Sequence, residues 1–303
     1  MRRLLAFAAA LIATAFLVFG PTRAAEAAAD AGKGISPALW AVDGGQGQVV
    51  IMGSIHLLKP GTPWLTDRLQ SMVAGADSIA VEIDRTPAAN ARIQALMQER
   101  GFYADGGSLE AALPPQLYRG AVAIAGMLGI PEQQFRRFRP WAASMVIGLG
   151  AVIKAGFDPA HGVEETLLRL ARQDGKAIVS LETADEVVAA LADHPDSLQA
   201  DMLRQAVDEF DTVDAMLSDL TAAWVTGDMA ALETLLLDRM KESPAFYRTL
   251  IVERNRAWLP QVKTILETPG RHVVMVGAAH LLGDDNLLKM LEAAGYKVRR
   301  IEG

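Results

Sequence analysis

Two segments of the chain carry the same chemical device. Val50-Ile51-Met52-Gly53-Ser54-Ile55-His56-Leu57-Leu58 and Val274-Met275-Val276-Gly277-Ala278-Ala279-His280-Leu281-Leu282 each read as an apolar run, a glycine, two small or apolar residues, a histidine and a leucine pair. The β-branched residues in the runs predict strands. Each glycine lets the chain turn sharply where its strand ends. The histidine then stands at the strand's carboxyl tip, where open α/β sheets bind ligands. Two neighbouring strands ending this way bring His56 and His280 together. Glu82 closes the run Ile79-Ala80-Val81 and is expected at the same edge. Two imidazoles and a carboxylate suit a divalent transition metal. The same groups transfer protons without a metal, because histidine titrates near neutrality and a carboxylate orients it.

Three further residues have chemistry to offer. Glu182 closes a third apolar run, Lys176 to Leu181. It serves either the metal set, as ligand or supporting partner, or the helix that starts at Ala184, whose dipole favours a negative charge there. Arg254 and Asn255 supply a cation and an amide for an oxyanion or a carboxylate. A charged surface helix accounts for that pair equally well. His161 lies in a turn before a helix and His194 precedes Pro195, so both read as loop residues. His272 begins the strand that His280 follows and belongs at the opposite end of the sheet.

The elements that must position these residues are legible from periodicity and punctuation. Leu39 to Val42 and Gln48 to Gly53, separated by Asp43-Gly44-Gly45-Gln46-Gly47, predict a hairpin. Thr66 and Thr86 are candidate helix caps, the second followed by Pro87 at the tolerated first position. Strands are expected at 78–83, 176–181, 272–277 and 297–301. Helix dominates 108–155 and 184–267, with breaks near His194-Pro195, Gly227 and Ser243-Pro244. The fold class is therefore α/β, with a central mixed sheet built from the N- and C-terminal segments and a large helical insertion at about 108–267.

Composition narrows the function classes. The chain has 303 residues, 51% of them hydrophobic and 21% charged, enough to bury a large core. A net charge of −7 argues against a nucleic-acid partner; the short run Arg136-Arg137-Phe138-Arg139 reads as a solvated face or an inter-helix contact. There is no cysteine, so disulfides, a cysteine nucleophile and thiolate metal sites are excluded. The P-loop, Gly-x-Gly-x-x-Gly, Gly-x-Ser-x-Gly and His-Glu-x-x-His patterns are also missing. Arg2 and Arg3 precede the uncharged run Leu4 to Phe19, followed by Pro21 and small residues at Ala24, Ala25 and Ala27. That is the pattern of a Sec-type signal peptide over 1–24, its apolar run shorter than the ~20 residues a membrane-spanning helix needs; the alternative is an uncleaved membrane anchor. A flexible leader at 25–36 and one domain at 37–303 follow. The expectation is a periplasmic or secreted protein without a stable membrane span once the signal is removed.

Trp40, Gly53-Ser54-Ile55-His56-Leu57-Leu58, Val81-Glu82-Ile83-Asp84, Gly162-Val163-Glu164, Gly175-Lys176 through Leu181-Glu182-Thr183, Arg254-Asn255 with Trp258, Val276-Gly277-Ala278-Ala279-His280-Leu281-Leu282-Gly283 and Ala294-Gly295-Tyr296-Lys297-Val298 occur in one order. This ordered set resembles the TraB/GumN family and, more distantly, the Tiki metalloproteases. The resemblance covers most of 38–302. It implies a fold akin to erythromycin esterase and the ChaN-like proteins, with both Gly-x-x-His motifs at one active site. It also implies His56 and His280 as ligands or reacting imidazoles, Glu82 as ligand or general base, and Arg254 and Asn255 as polar site residues. Tiki proteins cleave peptides with manganese or cobalt. One departure is Glu164, where the family often has aspartate.

The expected function is a hydrolase of peptide or amide bonds, dependent on a divalent metal (Mn, Co or Zn) held by His56, His280 and Glu82. Its substrate, peptide or small molecule, is unspecified by the sequence, as is the oligomeric state. The alternatives are a haem- or metal-binding envelope protein without catalysis, and an interaction protein working through the helical insertion.

Overall fold

A computed structural model describes residues 34–104 and 106–302. The expected signal peptide and most of the leader lie outside the described residues. Among the described residues, no helix is long and apolar enough to cross a membrane.

Six strands form one mixed sheet: β1 (Leu39–Asp43), β2 (Gly47–Ser54), β3 (Ser78–Val81), β4 (Ala177–Ser180), β5 (Gly270–Gly277) and β6 (Lys297–Ile301), in the order β4-β3-β5-β2-β1-β6. The hairpin forms as expected, with Leu39 opposite Met52 and Val42 opposite Val49. The two echoed segments lie side by side as parallel strands β2 and β5. Their pairing is offset by one residue from the echo: Gly277 faces Ser54, and Gly53 faces Val276. β3 adds in parallel beside β5, and β4 in parallel beside β3. The sheet thus departs from one built only of the chain ends. Its β4 comes from within the helical insertion and occupies the edge.

Alternation along β5 explains why this strand is central. Val273 and Met275 point into one core; Val274 and Val276 point into another. A parallel strand covered on both faces must be apolar throughout. The larger core holds the insertion helices, among them Pro140–Lys154, which is buried on nearly every side, and Asp196–Glu209 packed against it. The smaller core holds Trp258, Val262 and Leu266 of the helix Arg254–Leu266 with Leu287 and Leu291 of Leu287–Ala293.

Thr66 and Thr86 cap their helices through the amides of Leu69 and Ala89. Thr183 and Glu186 form a reciprocal capping box. The expected breaks fall between the helices Ala184–Ala192, Asp196–Glu209, Val213–Thr226 and Met229–Leu232 and again before Pro244–Tyr247, with one further break at 210–212. Two π-helical segments, Glu233–Leu237 and Arg248–Glu253, were not foreseen. The second leads directly into Arg254.

Candidate active site

The four parallel strands β4, β3, β5 and β2 are consecutive in the sheet, so their carboxyl tips form one row. Glu182, Glu82, His280 and His56 follow those tips in that order. All four are buried, as are Arg254, Asn255, Ser54 and Glu164. The six residues expected from sequence are therefore brought to one edge.

The two carboxylates are set beside each other by backbone pairing that continues past β4: the amides of Leu181 and Glu182 both donate to the carbonyl of Glu82. Arg254 bridges them. Its Nε donates to Glu182 Oε2 at 3.0 Å, and its Nη2 to Glu182 Oε1 at 2.5 Å and to Glu82 Oε2 at 2.7 Å. Nη1 donates to the carbonyl of Leu250, inside the π-helical segment, at 3.3 Å and lies 3.3 Å from His280 Nε2. The guanidinium also sits 4.7 Å from the centre of the Trp258 ring. Burial opposes its charge, but Glu182 and Glu82 outweigh burial and raise its pKa. Burial raises the pKa of Glu182 against the pull of Arg254, and the charge of Glu82 adds to the rise.

Glu82 is held from its other side. Its Oε1 accepts from the Gly277 amide at 2.6 Å and lies 3.8 Å from His280 Nε2. The glycine leaves room here: a Cβ on Gly277 would stand 3.1 Å from Glu82 Oε1, a tight contact, and 3.6 Å from His56 Nε2. Glu82 and both imidazoles thus gather around Gly277.

The histidines have different backing. Asn255 Nδ2 donates to the carbonyls of His280 and Asp285, which fixes the amide so that Oδ1 faces His280 Nδ1 at 2.8 Å. An oxygen there accepts only, so Nδ1 carries the proton and Nε2 presents its lone pair toward Arg254. Burial, then the charges of Arg254 and His56, push the His280 pKa well below the usual value. His56 Nδ1 instead meets Glu164 Oε1 at 2.6 Å. Burial lowers the His56 pKa, but the charge and hydrogen bond of Glu164 outweigh it, and the net shift is upward. Glu164 is raised by burial and lowered more strongly by His56, for a net fall. Ser54 donates a short hydrogen bond to the same Glu164 oxygen.

Ser54 and Glu164 are the site residues that sequence reasoning missed. By sequence Ser54 is a spacer in its motif, and Glu164 a landmark after Gly162 at a position where the family often has aspartate. The available signal was Gly162 itself. It is packed so closely on the His56 loop that an added Cβ would fall 2.2 Å from the His56 carbonyl oxygen. Val163 then donates its amide to the carbonyl of Ile55, and the helix Val163–Gln173 starts with Glu164 aimed at His56.

The remaining histidines stay apart. His272 is enclosed between Ser78 Oγ, 2.7 Å from Nδ1, and the Thr268 carbonyl, 3.0 Å from Nε2, at the sheet's other end. His161 is part-buried and faces Asp158. His194 Nε2 donates to the Ala190 carbonyl at 2.9 Å, and its ring lies against Phe246. Among the described residues, no three His, Asp or Glu side chains stand close enough together to hold a metal ion as they are arranged. Arg254 occupies the space facing His280 Nε2 and Glu82 Oε2.

The chain is thus a mixed α/β protein with buried His, Glu, Arg and Asn at its parallel strand tips. The protein belongs to the TraB/PrgY/gumN family, whose model matches residues 38–300. Among similar proteins is "Uncharacterized protein YbaP" of Escherichia coli (strain K12), 28% identical over 245 residues, covering 80% of this chain and 86% of that protein. The Shigella flexneri protein of the same name matches equally. No solved structure matches.

Proposed function

We propose that the chain is an exported hydrolase of peptide or amide bonds, working with a divalent ion at the row of strand tips. The supporting observation is the convergence of both Gly-x-x-His histidines and Glu82 around Gly277, with Arg254 bound to Glu82. The donor types suit manganese, cobalt or zinc, and His56, His280 and Glu82 are the residues that would hold it. When bound, such an ion polarises a carbonyl and lowers the pKa of water. The chain's own groups supply the rest. Asn255 keeps the His280 proton on Nδ1, leaving Nε2 as the donor atom. Glu82, where it does not serve as third donor, accepts the water's proton. Arg254, anchored by Glu182, offers a fixed cation to the developing oxyanion. Likeness to the erythromycin esterase and ChaN-like fold belongs to the same reading, as does a periplasmic or secreted location.

A second reading is favoured by Arg254. It binds the very atoms a metal would use, Glu82 Oε2 and the space before His280 Nε2. In that reading Arg254 is the electrophile, His56 backed by Glu164 is the base, and no ion takes part. One experiment separates them. The protein lacking residues 1–24 is dialysed against Mn, Co and Zn in turn, and bound metal is measured for wild type and His56→Ala/His280→Ala. One retained ion per chain, lost in the variant, supports the metal-dependent hydrolase. Equal metal content in both supports the metal-free site. Hydrolysis of a peptide library that survives the double substitution refutes both.

A further inference from the structure

The duplicated motif is not duplicated in its surroundings. The first copy has Ser54 after its glycine; the second has Ala278. Ser54 ends β2 fully buried and hands its hydroxyl proton to Glu164 Oε1. The same oxygen faces His56 Nδ1. A carboxylate only accepts, so the Ser54 hydroxyl is the donor and ties down the Glu164 carboxylate. Ala278 has no such role to play, because His280 is fixed by Asn255 from the helix Arg254–Leu266.

The geometry points to Ser54 and Glu164 as a positioning pair for His56: Ser54 fixes the Glu164 carboxylate, which holds the His56 proton on Nδ1 and turns Nε2 toward Glu82 and Gly277. The close approach of Gly162 to the His56 backbone delivers Glu164 to this place. Nε2 then lies in the cradle over Gly277 that it shares with Glu82 Oε1. The two histidines of the site therefore leave the same nitrogen unprotonated by different means. One is backed by a charged carboxylate from the helix Val163–Gln173 and the other by a neutral amide from the helix Arg254–Leu266. The proposal deepens the functional reading, since both the metal and the metal-free forms need that nitrogen unprotonated.

The test reads the tautomer directly and needs neither substrate nor metal. The protein lacking residues 1–24 is labelled with 15N in its histidine rings, and long-range proton–nitrogen spectra are recorded at about pH 9 in chelator. The expected result is His56 with a protonated Nδ1 and an unprotonated Nε2. In Glu164→Leu, both His56 nitrogens move toward the average of the two tautomers. Glu164→Asp restores the wild-type pattern, and Ser54→Ala gives an intermediate shift. The His280 resonances keep the Nδ1-protonated pattern throughout. A wild-type His56 proton on Nε2 overturns the proposal. So does a wild-type pattern retained in both Glu164→Leu and Ser54→Ala. Should Glu164→Leu fail to fold, an unshifted His56 in Ser54→Ala overturns it alone. If the hydrolase reading fails instead, the tautomer result stands unaffected.

Discussion

Replacing Arg254 by methionine removes the cation that bridges the Glu82 and Glu182 carboxylates. Methionine matches much of the aliphatic bulk and keeps a contact with Trp258, so the loss is chiefly electrostatic. Two carboxylates, both buried, are left side by side without their cation. Removing one partner of a buried ion pair costs about 3–5 kcal/mol, because the remaining charge is desolvated and uncompensated. For a domain of this size that corresponds to a fall in Tm on the order of 10 °C. The cost should depend on pH. Arg254 pulls the Glu182 pKa down against burial, so its removal lets that pKa rise further. A carboxyl whose folded pKa exceeds its unfolded value binds protons preferentially in the native state, and stability then increases as pH falls. Urea unfolding of wild type and Arg254→Met at pH 7 and pH 5 should show the deficit shrinking toward acid. Adding Glu82→Gln and Glu182→Gln to Arg254→Met should recover most of it at pH 7. A deficit under about 1 kcal/mol at pH 7, or one equal at both pH values, refutes the reasoning.

His280 and His56 should pull the pH dependence in opposite directions. The folded His280 pKa lies well below 6.5, so the unfolded chain takes up a proton that the native state refuses. Stability is lost on this account as pH drops from about 6.5 toward the folded value. The folded His56 pKa is raised, so its contribution is present below about 6.5 and disappears as pH rises through the folded value. Urea midpoints measured from pH 7 to pH 5 should therefore fall less steeply in His280→Gln than in wild type; parallel curves would contradict the burial of a neutral His280. Gly162→Ala drives a Cβ to 2.2 Å from the His56 carbonyl oxygen, with backbone on both sides. It should cost at least about 1–3 kcal/mol and disturb the His56 imidazole resonances. A variant as stable as wild type would show that the helix Val163–Gln173 does not dock as described.

The sequence alone determined the parts of this protein that depend on local pattern. Runs of β-branched residues ending in glycine specified β2 and β5, and threonine followed by proline specified a helix start. Carboxylates and histidines just past those runs had to stand at strand tips, because a strand's direction is set by its own residues. Periodicity does not say which strands are neighbours. The order β4-β3-β5-β2 sets β5 inside the sheet with both faces buried, and it places Glu182, Glu82, His280 and His56 in one row. Nor did local pattern separate Arg254 and Asn255 from an ordinary charged helix. Their burial follows from packing the helix Arg254–Leu266 against the sheet through Trp258 and Val262. The partners of each histidine were least legible. Glu164 and Asn255 come from distant segments, and whether an imidazole meets a carboxylate or an amide is decided by the approach of two backbones. Gly162 permits one of those approaches, and its neighbours in sequence carry no mark of what it touches.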